Sequence, residues 1–191
     1  MDKTTRYIAA IAGVVILLII VLFLIFGRSS KKQDAPAPSK TTNLTQYAPR
    51  DSFATYTTQG RVVGEDAYHS IRITVTPTER RLEILDGYAD TVQRSQSFDN
   101  TQLAYQQFLA ALDRAGFGRT QTTKNAKPDG VCPLGNRFIY QLDNNGDKVI
   151  NSWATSCAKV DGNFGGTTGL VRTLFQQQIT DYSKLVTGVR L

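Results

Sequence analysis

Two cysteines, one histidine and a scatter of carboxylates are the residues of this 191-residue chain that have chemistry to offer. Cys132 and Cys157 flank a stretch that reads as a β-hairpin. Arg137–Leu142 and Lys148–Trp153 surround Asp143–Asp147, a turn composition that suggests a five-residue loop. A hairpin turning about Asn145 sets the two cysteines almost opposite one another at its open end, which suits a structural disulfide. Closing about 25 residues in this way is worth about 3.5 kcal/mol in the chain-entropy model. Redox exchange favours a C-x-x-C spacing and a thiol of lowered pKa, and no such spacing occurs.

His69 is the only histidine, which excludes a multi-histidine metal site and leaves one imidazole for acid–base work. It precedes Ser70 at the start of an apparent strand. A Ser–His–acid hydrolase built on the two would need a carboxylate brought near by the fold, and no G-x-S-x-G elbow supports it. The chain holds three glutamates, Glu65, Glu79 and Glu83, and its aspartates fall mostly in turns, without a spacing that marks a glycosidase pair. Asp143-Asn-Asn-Gly-Asp147 resembles a calcium loop in composition. In the EF-hand register, however, Gly146 at position six puts Gln141 and Ser152 at the first and twelfth ligand positions. The glycines of Gly162–Gly166 lack the Lys-Ser/Thr that a phosphate loop requires. Tyr140 and Trp153 sit at strand positions that suit a core as well as a recognition surface. The residues therefore assign no catalytic group, no cofactor and no metal. The one pairing they assign is Cys132 with Cys157.

The elements that carry these residues read as α+β. Ile71, Ile73 and Val75 alternate with Arg72, Thr74 and Thr76, and Leu82 and Ile84 alternate with Arg81 and Glu83, the period of half-buried strands. Phe53–Val63 is a third extended stretch. Asp99–Ala115 opens with the cap-competent Asp99 and Asn100, carries Leu103, Phe108, Leu109 and Leu112 near helical spacing, and stops at Gly116. After the hairpin, Thr167 or Thr168 caps a second helix that runs through Leu170, Val171, Leu174, Phe175 and Ile179 to about Tyr182. The expected fold is an antiparallel sheet covered on one face by two helices. The two halves share a layout but no residue-level repeat.

Ahead of this domain, Ile8–Phe26 is nineteen residues without a charged or hydrogen-bonding side chain. As a helix it measures about 28 Å, close to the hydrocarbon thickness of a bilayer. It is longer than the apolar core of a cleaved signal and has no small-x-small site beside it, so it reads as an uncleaved single-pass signal anchor. Residues 1–7 form a short cytoplasmic end, and 27–50, rich in Ser, Thr, Pro and Lys, read as a flexible stalk to a domain over 51–191. Arginines and lysines flank the helix almost evenly, so orientation follows from the cysteines: a disulfide puts the domain in an oxidising, extracytoplasmic compartment.

The net charge of +6 resides mostly in these flanks. Residues 1–40 carry six basic side chains against Asp2 and Asp34, whereas the remaining 151 residues hold sixteen basic and fourteen acidic. The excess describes a membrane segment, and no nucleic-acid partner is implied. The functional expectation is a membrane-anchored, extracytoplasmic, non-catalytic interaction module of the cell envelope, whose partner is another envelope protein or a surface polymer. The alternatives are a membrane-tethered hydrolase using His69 and Ser70, and a structural subunit of a membrane complex.

Overall fold

The computed structural model describes residues 40–49, 51–124 and 127–191. The expected anchor over 8–26, the residues before it and the stalk as far as Ser39 lie outside the described residues. No helix among those described is long and apolar enough to cross a membrane.

The fold is mixed α+β. The strands among the described residues are β1 (Lys40–Thr41), β2 (Ser52–Gln59), β3 (His69–Val75), β4 (Glu79–Asp86), β5 (Thr91–Asp99), β6 (Arg119–Thr120), β7 (Arg137–Asn144) and β8 (Asp147–Thr155). Among the described residues the α-helices are α1 (Gln102–Arg114), α2 (Thr168–Gln176) and the single turn α3 (Tyr182–Leu185). Six strands form one antiparallel sheet in the order β5-β4-β3-β2-β7-β8, and β1 pairs with β6 in a separate ribbon. Strand alternation sends Ala54, Tyr56, Ile71, Ile73, Val75, Leu82, Tyr140 and Leu142 to one face, where all are buried in a single cluster with Tyr105, Phe108, Leu109 and Leu112 of α1 and Val171 and Phe175 of α2. Phe175 lies 5.5 Å from the Tyr56 ring and 5.1 Å edge-on from Phe108, so the two helices and the sheet share one aromatic centre.

Several boundaries differ from the sequence expectation, each for a local reason. The hairpin loop is two residues, not five: Asn145 and Gly146 both take positive φ, 52° and 87°, and Asp143 and Asp147 belong to the strands. This is the backbone that a right-twisted two-residue hairpin turn demands, and Asn-Gly supplies it. β5 is an additional strand. Its sequence, TVQRSQSFD, is solvent-exposed on nearly every residue, so it has no apolar alternation to read and is held by its pairing with β4. On α1, Thr101 and not Asp99 or Asn100 is the cap, its hydroxyl accepting the Ala104 N–H. Leu103 is 63 % exposed and Tyr105 takes the core position. The helix ends as expected, at left-handed Gly116, with the Phe117 N–H on the Leu112 carbonyl and the Gly116 N–H on that of Asp113. The second helix stops at Gln176 instead of Tyr182. Tight turns bury Ile179, and Asp181 adopts φ 55° before α3 begins.

The stalk expectation also ends too late. From Lys40 the chain is part of the fold: β1 pairs with Arg119–Thr120, Leu44 is fully buried, and its N–H donates to the Asp113 carboxylate at 3.0 Å. One leucine and one tyrosine cannot build a core, so composition reads the segment as unfolded, but here they complete a core supplied by other elements.

Candidate functional site

The register of the sheet decides what His69 can do. His69 pairs with Asp86 across β3 and β4, and its Nδ1 lies 2.7 Å from the Asp86 Oδ1, with both side chains partly exposed. A carboxylate can only accept, so Nδ1–H is the donor and Nε2 is the free nitrogen. Ser70, the next residue, points to the opposite face of the sheet. It is fully buried, and its hydroxyl has no hydrogen-bond partner among the described residues. A nucleophile and its base must be within hydrogen-bond reach, and two neighbouring strand residues on opposite faces are not. The expected Ser70–His69 pairing is therefore not assembled. What remains is a histidine–aspartate pair facing solvent on the helix side of the sheet.

His69 sits in the middle of a trough, with Asp86 at its border. After α3 the chain folds back over the sheet through Val186, Val189 and Leu191, all partly buried against the core, with Gly188 at φ +85° making the bend. Leu191 approaches β2 so closely that a Cβ on Gly60 would lie about 3.0 Å from its backbone and 2.9 Å from the His69 carbonyl. Along this segment lie three clefts that share residues end to end, two of them against β5 and the third against the β2–β3 connection. The first is walled by Ser95, Gln96 and Leu185 over Leu82. It shares Ile84 and Arg94 with the second, about 210 Å³, which runs along Gln93 and Thr187–Val189 to His69. His69 in turn opens on a third of similar size, lined by Gly60, Arg61, Val63, Ala67, Arg190 and Leu191.

The trough has apolar surface at its two ends, a more polar middle and a basic rim. Arg61, Arg94 and Arg190 are exposed and carry no hydrogen bond or ion pair among the described residues, and no acidic side chain lines any of the three clefts. The helix-free face of the sheet differs. There Arg72 meets Asp90 at 2.6 Å and Glu83 at 3.9 Å, and Arg81 meets Glu79, which lowers the Glu79 pKa and raises that of Arg81. Beside that face Arg137 is buried, donating to the Gly60 carbonyl at 2.7 Å with its guanidinium 5.9 Å from the Tyr68 ring, which stacks on Tyr88. Charges on the open face are thus matched internally, whereas those of the trough are available to a ligand.

The other sequence candidates take structural places. Cys132 and Cys157 lie at disulfide distance, S–S 2.05 Å and Cα–Cα 5.6 Å, below the β7–β8 hairpin. Asp143–Asp147 forms strand ends and the hairpin turn. Among the described residues no group of three His, Cys, Asp or Glu is placed to hold a metal ion. Tyr140 and Trp153 are buried. The convergence of Arg61, Arg94 and Arg190 has no signature in the chain, since the three are far apart and only the sheet register and the return of the last residues bring them together. No protein family, characterised protein or solved structure matches this chain.

Proposed function

We propose that this protein is a single-pass, membrane-anchored interaction module of the cell envelope that binds its partner through the trough around His69. The helix over 8–26 would hold the chain in the bilayer with residues 1–7 cytoplasmic, and the α+β domain would face the extracytoplasmic side. The observation that carries the reading is the gathering of three exposed arginines without an acidic side-chain partner around one trough with apolar surface at both ends, whereas Arg72 and Arg81 on the other face of the sheet are ion-paired. Binding surfaces are expected to leave such groups uncompensated, since pairing them internally would remove their complementarity to a partner. A hydrolase built on His69 and Ser70 finds no support in this geometry, because the hydroxyl is buried on the far side of the sheet.

The test is site-specific photo-crosslinking in intact cells from the full-length chain. Probes at Gln96 and Thr187 in the trough are expected to give a discrete adduct, and a probe at Thr155 on the other face is not. Adducts from neither face would contradict the binding reading.

A further inference from the structure

Resting on the binding reading above, the geometry points to an extended, acidic segment of a partner protein, with aliphatic side chains between its carboxylates, as the ligand of the trough. Three properties of the site select this chemistry. Its shape is long and narrow, since the three clefts run along β5 and on past His69 without a deep enclosed cavity, which suits an extended chain better than a compact small molecule. Its side-chain charge is predominantly basic: Arg94, Arg61 and Arg190 are spread along the rim, and no Asp or Glu side chain lines the three clefts among the described residues. Asp86 borders the site, but its Oδ1 is engaged by His69.

The third property is the floor. The partly exposed Leu185 and Val189 line one end, above the buried Leu82 and Ile84, and the exposed Val63 and Ala67 with the partly buried Leu191 line the other. Guanidinium groups alone would receive any anionic polymer. Apolar ground between them contributes to affinity only for a ligand that brings apolar groups at matching intervals. A peptide alternating carboxylates and aliphatic side chains does so, whereas a polyphosphate chain does not. Gln96, on the same face of β5 as Arg94, adds an amide partner for a peptide backbone.

The experiment measures binding of a fluorescein-labelled peptide of alternating glutamate and leucine to the full-length protein in detergent micelles, by fluorescence anisotropy. The comparisons are the same peptide with glutamine for glutamate, and competition by polyphosphate. Changing all three of Arg61→Gln, Arg94→Gln and Arg190→Gln is expected to weaken binding by about 30-fold, the sum of three exposed charge pairs. These side chains are exposed, so folding is retained, and circular dichroism checks it. Arg81→Gln on the other face leaves binding unchanged, and the glutamine peptide binds about as weakly as the triple variant. No binding of the acidic peptide, or equal binding by the triple variant, overturns the inference. Polyphosphate competing as well as unlabelled peptide at equal charge also overturns it, in favour of a site that reads anions alone. Crosslinks from Gln96 and Thr187 in cells with no peptide binding would reject this ligand class but leave the binding reading standing, whereas no crosslinks from either face would remove both.

Discussion

At the scale of single residues, the structure separates groups that lie next to each other in the chain. His69 and Ser70 look like half of a catalytic triad in sequence, yet strand alternation puts them on opposite faces. Ser70→Ala removes a buried hydroxyl without a hydrogen-bond partner among the described residues, so it is expected to leave stability within about 1 kcal/mol of the parent or raise it. Chemical denaturation measures this, and a loss above about 2 kcal/mol would reveal a partner for the hydroxyl. Tyrosines give the pH dependence. Burial pushes the Tyr56 and Tyr105 phenols up to about 12, the Ser52 hydroxyl on Tyr105 working weakly against it, and Tyr140 is raised as well. Above the ordinary value near 10, the unfolded chain gives up these protons while the folded one keeps them. Their contribution to stability is therefore complete below about pH 10 and is lost as pH rises toward 12. Thermal melting across that range, read beside phenolate absorbance, should show ionisation and unfolding together. Phenolate appearing near pH 10 in a still-folded protein would contradict the buried assignments.

At the scale of elements, what was legible followed from periodicity, and what was missed lacked it. β3, β4, β7 and β8 carry apolar alternation and appear where the pattern puts them. β5 carries almost none, because an edge strand with both faces wet has nothing to alternate, and only its pairing with β4 defines it. Lys40–Ala48 was illegible for a related reason: its single buried leucine has no local partners, and the core it enters is made by α1 and the sheet. Leu44→Ala should therefore cost about 3 kcal/mol, as for any fully buried leucine, in urea denaturation. A value below about 0.5 kcal/mol would return the segment to the stalk. Gly146→Ala forces a side chain into φ +87° and is expected to cost about 1 kcal/mol. The Cys132–Cys157 pairing was readable because hairpin geometry relates residues across a turn. The loop was nevertheless read as five residues where Asn145-Gly146 alone suffices. Reducing the pair should lower stability by about 3.5 kcal/mol in the chain-entropy model.

At the scale of the whole molecule, sequence shows where charge lies along the chain but not where it gathers in space. The excess over residues 1–40 is visible by reading, and it correctly leaves the domain close to balanced. The three arginines around His69 come from the loop after β2, from β5 and from the last turn of the chain, so no local pattern announces them. Only a fold with β5 at the sheet edge and residues 186–191 laid back across β3 and β4 brings them to one trough. The binding proposal rests on that convergence. The proposed placement of the domain on the extracytoplasmic side rests on Cys132 and Cys157 together with the apolar run over 8–26.

That placement is the central claim, because an envelope partner is available only to a domain on that side. Treating intact cells with a membrane-impermeant polyethylene glycol maleimide, before and after an impermeant reductant, tests it directly. The account predicts no modification at first and two adducts per chain after external reduction. Adducts without reduction, or adducts that appear only once the cells are lysed, would contradict it.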